Sequence, residues 1–394
     1  MRRIIYFLLL TAILQGCASP PEQPFFWKGT ILSRGDEQGA FAIPKIIRTA
    51  DDGIMIVAQD RQGGDWGSSI TPFAIKSSDN GRTWSDIQLL APDDFFELDS
   101  YHYKPTGIVV DHENGRIFTF ISRSPLLNRD GDTIHERWFY SNIQETRSLK
   151  RDWFLVSSDD NGASWSAPEK ITDQLIKQPH WQEWSPVHTG LQLKFGKHSG
   201  RLVVPIRAYC SDSDPSKHSV EHQYNGILYS DDGGSTWIPG GRSESRLGEC
   251  SIAERSDGAL YVNHRTSNID SRKAERMQNV SVDGGESFSE CVPSGLSDVR
   301  CHAGLVAVTD SNGRRVFLLS SIPGKERKGL SISVSLDEGG TWETKKVIDH
   351  GHTAYSDLTV DKDGTIVCVY ETGENTSRKD LAIARFNLAW VMSD

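Results

Sequence analysis

The 394-residue chain lacks several features that would point to common functional classes. Its one long apolar run, Ile4 to Leu14, is too short to cross a bilayer as a stable anchor. Its six cysteines include no C-x-x-C spacing, which excludes the usual zinc and redox motifs. No basic run or stripe offsets the formal charge of −10, so nucleic acid is not expected as a partner. Helical periodicity is scarce, with Ser166 to Lys177 the best short candidate. His188, His222, His302 and His352 have no metal-ligand spacing and read as non-ligands. No cofactor is called for.

The N-terminus reads as a targeting segment. Arg2 and Arg3 precede the apolar run, and Leu14-Gln15-Gly16-Cys17 looks like a bacterial lipobox. The expected organisation is a signal peptide over 1–16, then lipidated Cys17 with a polar, Pro-rich tether over 17–26. A single domain follows over 27–394. Several acyl chains on one residue hold a protein firmly to a membrane. Ala18 resembles the outer-membrane sorting pattern, so an outer membrane lipoprotein on the periplasmic or cell-surface face is expected. An odd number of cysteines beyond the membrane leaves at least one thiol unbridged, and Cys291 with Cys301 is the candidate disulfide.

Five copies of one turn fit S-x-D-x-G-x-[ST]-[WF]: Ser77 to Trp84, Ser158 to Trp165, Ser230 to Trp237, Ser281 to Phe288 and Ser335 to Trp342. The Asp can accept backbone N–H groups of its own loop. The Gly supplies a positive φ, and the aromatic residue plugs the turn into the adjacent apolar layer. Each copy is therefore a structural hairpin tip. Repetition every roughly 50 to 80 residues, between alternating strand-like runs such as Gly53 to Ala58 and Gly115 to Ile121, fits a β-propeller with loop insertions. The expected fold is all-β, with six four-stranded antiparallel blades.

The segments between the turns resemble the sialidase (exo-α-neuraminidase) family, whose six-bladed propellers carry these Asp-box turns; the resemblance runs from about Trp27 to Trp390. Leu247 to Glu254 followed by Ser256 to Arg265 is similar to the family's pair holding a catalytic Glu and an active-site Arg, which implies those roles for Glu249 and Arg265. Arg327 to Val334, leading into the fifth turn, resembles a segment with another carboxylate-binding Arg, implying that role for Arg327. Gly351 to Leu358 with Val369 to Glu371 resembles the nucleophile strand, implying Tyr355 as nucleophile and Glu371 as a supporting acid. Gln59 to Asp65 resembles a loop with a substrate-contacting Arg and the acid/base Asp, here Arg61 and Asp65. Gly190 to Leu193 and Gly200 to Pro205 read as blade scaffold.

The chemistry explains these residue types. A sialic acid carries a carboxylate on its anomeric carbon, and a neutral phenol approaches that anion without the repulsion a carboxylate would meet. Glu249 would serve as base to the phenol. Asp65 would protonate the leaving oxygen, and Arg265 and Arg327 would grip the substrate carboxylate. The resemblance thus implies an exo-α-sialidase acting on sialylated or other acidic-sugar glycans; the lipobox implies a membrane contact through lipid only, and a monomer is expected. One position departs: the family's aromatic-Arg-Ile-Pro reads Phe41-Ala42-Ile43-Pro44, so a third clamp Arg is missing and Glu371 loses its partner. By strand alternation Lys45 points to the other face and Arg48 lies too far along, leaving Arg61 as the closest stand-in. The departure keeps open a hydrolase or transglycosylase for another 2-keto-3-deoxy acid such as Kdo, or a non-catalytic glycan-binding lipoprotein.

Overall fold

The computed structural model describes residues 23–35, 38–62, 69–126, 151–175, 181–186, 188–210, 223–245, 247–266 and 275–393. Among these residues the strands form five sheets. The first holds Ala40–Arg48, Ile54–Arg61, Ile70–Ser77 and Gln88–Leu89. The second holds Tyr101–Asp111, Arg116–Pro125, Asp152–Ser158 and Glu169–Lys170, with His188–Thr189 added in parallel. The third is built on Leu202–Cys210, Gln223–Ser230 and Ile238–Ser245, with Trp181–Pro186 and Leu191–Gln192 against its first strand. Leu247–Glu254, Leu260–Thr266, Glu275–Ser281 and Val292–Ser297 make the fourth.

The fifth sheet has seven strands, and it departs from the expectation of six separate blades. Its cause is one uninterrupted 18-residue strand, Glu343–Val360. The first part of that strand pairs with Lys328–Ser335 and the second with Ile366–Gly373, so two strand groups stay hydrogen-bonded as one sheet. Phe26–Leu32 pairs with Asp380–Phe386 at the edge, joining the two ends of the described chain. The protein is all-β, in a β-propeller arrangement.

The five turns form as expected. In the second, Asp160 Oδ1 accepts the N–H of Ser164 at 2.8 Å and the hydroxyl of Ser158 at 2.7 Å. The same pattern recurs at Asp79, Asp232, Asp283 and Asp337. The turns also join one sheet to the one before it. Gly234 has φ +84°, and a Cβ there would collide with the Phe118 ring of the second sheet. Gly339 sits in the same way against Tyr261 of the fourth sheet. Apolar clusters fill the inter-sheet layers: Met55 and Val57 of the first sheet pack with Ile108, Ile117 and Val156 of the second.

Two smaller expectations change. The Ser166 to Lys177 helix is a single turn, Thr172–Leu175, preceded by the short strand Glu169–Lys170. Cys291 and Cys301 are thiols rather than a disulfide. Among the described residues, no helix is long and apolar enough to cross a membrane. Cys17, Asp65 and His222 lie outside the described residues.

Candidate active site

Three of the expected residues meet in one triangle. The Tyr355 hydroxyl donates to Glu249 Oε1 at 2.8 Å. Arg265 Nη1 donates to the Tyr355 oxygen at 2.6 Å and lies 2.5 Å from Glu249 Oε2. Sheet geometry brings them together. Glu249 and Arg265 stand on the paired strands Leu247–Glu254 and Leu260–Thr266, where a register shift between Leu247 and Cys250 lies at Glu249. Tyr355 comes from the long strand of the fifth sheet, at a similar shift between Thr353 and Ser356. Such bulges re-aim side chains, often beside active sites.

Arg327 completes a second side. Its guanidinium carbon lies 5.8 Å from the Tyr355 ring centroid, and its carbonyl accepts the N–H of Thr353 at 3.0 Å. Glu371 is buried on the strand paired with Glu343–Val360. Its Oε2 accepts the N–H of Tyr355 at 3.3 Å and its Oε1 that of Ile43 at 2.7 Å. Ile43 has φ +50°, a backbone region that β-branched residues avoid and that is rarer still before a proline. Glu371 therefore anchors a strained bulge and the Tyr355 backbone together. Arg61 is buried, donates from Nε to Gln59 Oε1 at 2.9 Å, and reaches Glu371 and Lys45 through its charge.

The electrostatics keep Glu249 ionised and Tyr355 protonated in the resting site. Burial raises the Glu249 pKa, but Arg265, then Arg207 and the Tyr355 hydroxyl, more than offset this and hold it at about 2. Glu249 is thus an ionised acceptor at neutral pH. Burial pushes the Tyr355 phenol well up, and the Glu249 charge adds to that, while Arg265 opposes both. The hydroxyl therefore keeps its proton at neutral pH, and the Arg265 charge beside it favours the ionised form of the phenol.

Sequence reasoning missed four neighbours. Arg207, from a strand read as scaffold, places Nη1 3.7 Å from Glu249 Oε1. Its signal was a charge inside an otherwise apolar strand. Arg378, from the polar 374–379 turn, places Nε 3.9 Å from Glu371 Oε2. His188 and His302 stack on each other, each ring centroid 6.1 Å from that of Tyr355. Burial holds both imidazoles well below their ordinary pKa, hence neutral. They also line a cavity of about 510 Å³ whose walls include Asp357 and Thr189. Burial raises the Asp357 carboxyl to about 6.

Lys45 corrects the alternation argument. The register shift between Ala42 and Lys45 breaks simple alternation, and Lys45 Nζ turns inward to the carbonyls of Ile43 (3.2 Å) and Pro105 (3.0 Å). Burial lowers its pKa to about 7, against the pull of Asp357.

A propeller with Asp-box turns and a buried Tyr–Glu–Arg triangle defines a recognisable class, and comparison with known proteins agrees. The family model described as a BNR repeat-like domain matches residues 108–368. The chain belongs to the sialidase family with BNR repeats. It is 28% identical to a sialidase of Micromonospora viridifaciens, aligning over 99% of this chain and 60% of that protein. A sialidase of Bacteroides fragilis is 27% identical, over 86% of this chain and 61% of that one. The chain thus spans about 60% of the length of these two relatives. Among solved structures, a Hadza microbial sialidase superposes with a TM-score of 0.75 at 23% identity, covering 92% of this chain and 68% of that one. The intramolecular trans-sialidase of Ruminococcus gnavus gives 0.72 at 20% identity, covering 92% and 98%.

Proposed function

We propose that the protein is an exo-α-sialidase that hydrolyses terminal α-linked sialic acids with retention of configuration. The observation that carries this reading is the Tyr355–Glu249–Arg265 triangle. In the first step the Tyr355 oxygen bonds to the anomeric carbon while Glu249 takes the phenol proton. The bond to the leaving oxygen breaks, and Asp65 protonates that oxygen. In the second step water attacks the same carbon, Asp65 takes its proton, and the released Tyr355 oxygen recovers its proton from Glu249. Two inversions give retention. Arg265 and Arg327 hold the substrate carboxylate.

The test is release of a fluorescent aglycone from an α-sialoside, with the anomer formed first read by NMR. Wild-type turnover giving the α-anomer is expected, with Tyr355→Phe losing most of the rate. Intact substrate at high enzyme concentration, or a β-anomer as first product, refutes the reading. Ala42 in place of an Arg favours a second reading, another 2-keto-3-deoxy acid such as Kdo as substrate. Comparing sialoside and Kdo-glycoside turnover on one preparation separates the two.

Two structural readings accompany this one. The seven-stranded sheet corresponds to two blades sharing the long strand, making six with the other four. Cys17 carries a lipid that attaches the protein to the outer membrane. Metabolic labelling with a fatty acid, lost in Cys17→Ser, tests the latter.

A further inference from the structure

The candidate site is rich in guanidinium groups, and Arg378 is among those without a role in the scheme above. Arg378 lies in the 374–379 turn between Ile366–Gly373 and Asp380–Phe386. That turn is fastened to the strand bearing Ala42: the N–H of Phe41 donates to the Lys379 carbonyl at 3.0 Å. Phe41 precedes Ala42 and Lys379 follows Arg378, so Arg378 is carried alongside the position where an Arg is missing.

Its charge bears on the same groups. Arg378 Nε lies 3.9 Å from Glu371 Oε2, the oxygen that accepts the N–H of Tyr355. That separation is beyond hydrogen-bond length, so these two atoms interact by charge alone. Glu371 already receives hydrogen bonds from two backbone N–H groups, Ile43 and Tyr355. Arg378 also draws the Tyr355 phenol toward ionisation, opposing the effect of burial. Its side chain is 32% exposed, whereas Ala42 is wholly buried, so the charge enters from the rim of the site and not from the strand beneath it.

We propose that Arg378 is a binding residue for the substrate carboxylate, acting with Arg265 and Arg327 in place of the side chain that Ala42 does not provide. The proposal rests on the acidic-sugar reading of the site. It implies that the third contact to the carboxylate comes from a surface turn, and that Glu371 positions that turn's guanidinium as well as the nucleophile's backbone.

The test is calorimetric binding of a 2,3-didehydro sialic acid and of its neutral methyl ester to wild type, Arg378→Ala and Arg378→Lys. Loss of one charged hydrogen bond weakens binding roughly 10- to 150-fold. Arg378→Ala is expected to lose that factor for the acid and to leave the weaker ester affinity unchanged, with Arg378→Lys in between. Equal losses for acid and ester, or no loss, overturn the proposal while the acidic-sugar reading stands. A wild-type protein that binds no acid overturns both. Thermal melts establish that the variants are folded, and Arg378→Lys carries the comparison if the alanine variant is not.

Discussion

Replacing Glu249 by Gln separates the acidity of the Tyr355 phenol from the turnover proposed to depend on it. Tyr355 donates its proton to a carboxylate 2.8 Å away. At an effective dielectric constant of about 20, repulsion between a phenolate and a carboxylate at that distance is about 6 kcal/mol, or about 4 pKa units. This is an upper limit, because the Gln oxygen still accepts a hydrogen bond. The lower limit comes from exchanging a charged for a neutral acceptor, a difference of about 1–2 kcal/mol, or about one unit. Arg265, relieved of its partner but still 2.6 Å from the phenol, acts in the same direction. The Tyr355 pKa in Glu249→Gln should therefore fall by about one to four units. The assay is an ultraviolet tyrosinate titration, with the same titration of the matching Tyr355→Phe protein subtracted. Turnover should fall in the same variant by about 10²- to 10⁴-fold, because the proton acceptor is lost. A phenol that becomes less acidic, or turnover that rises as it becomes more acidic, refutes the assignment of Glu249 as base.

Two further outcomes are expected. Asp160→Ala removes the carboxylate that ties Ser158 and Ser164 into their turn, and should lower unfolding free energy by about 1–3 kcal/mol in denaturant melts while leaving kcat unchanged. A comparable fall in kcat would contradict the structural role of the turns. Lys45 is held at about 7 against an ordinary 10.5, so between these values the unfolded chain binds more protons and the contribution of Lys45 to stability rises with pH. Lys45→Met should remove that rise. The stability difference between wild type and variant should shift in favour of wild type from pH 7 to 10, and a flat difference would contradict the buried, perturbed lysine.

The parts of this molecule that were legible in the sequence are those where one short segment carries both geometry and chemistry. The five turns are self-contained hydrogen-bond units, so their residues reveal them without knowledge of the rest. Glu249, Arg265, Arg327 and Tyr355 were legible because each lies in a short motif on, or for Arg327 just before, its own strand. Arg378 and Arg207 were not, because each matters through what lies across from it in space. Alternation failed at Lys45 because a bulge at Ile43 resets the side-chain period, and a bulge stabilised by a carboxylate from a distant strand leaves no local signal. The joined seven-stranded sheet was hidden for a similar reason: nothing in the residues around His350 separates a corner from a continuous strand.

The pairing of Phe26–Leu32 with Asp380–Phe386 has a consequence for biogenesis. The outer edge of Asp380–Phe386 is covered by Phe26–Leu32, and the two segments are further latched by the Phe25 N–H, which donates to Asn387 Oδ1 at 3.1 Å. The fifth sheet cannot be completed until Asp380–Phe386 has been synthesised, and Phe26–Leu32 must stay available until then. Loss of that segment by proteolysis would expose a bare row of hydrogen-bonding groups, an open invitation to self-association.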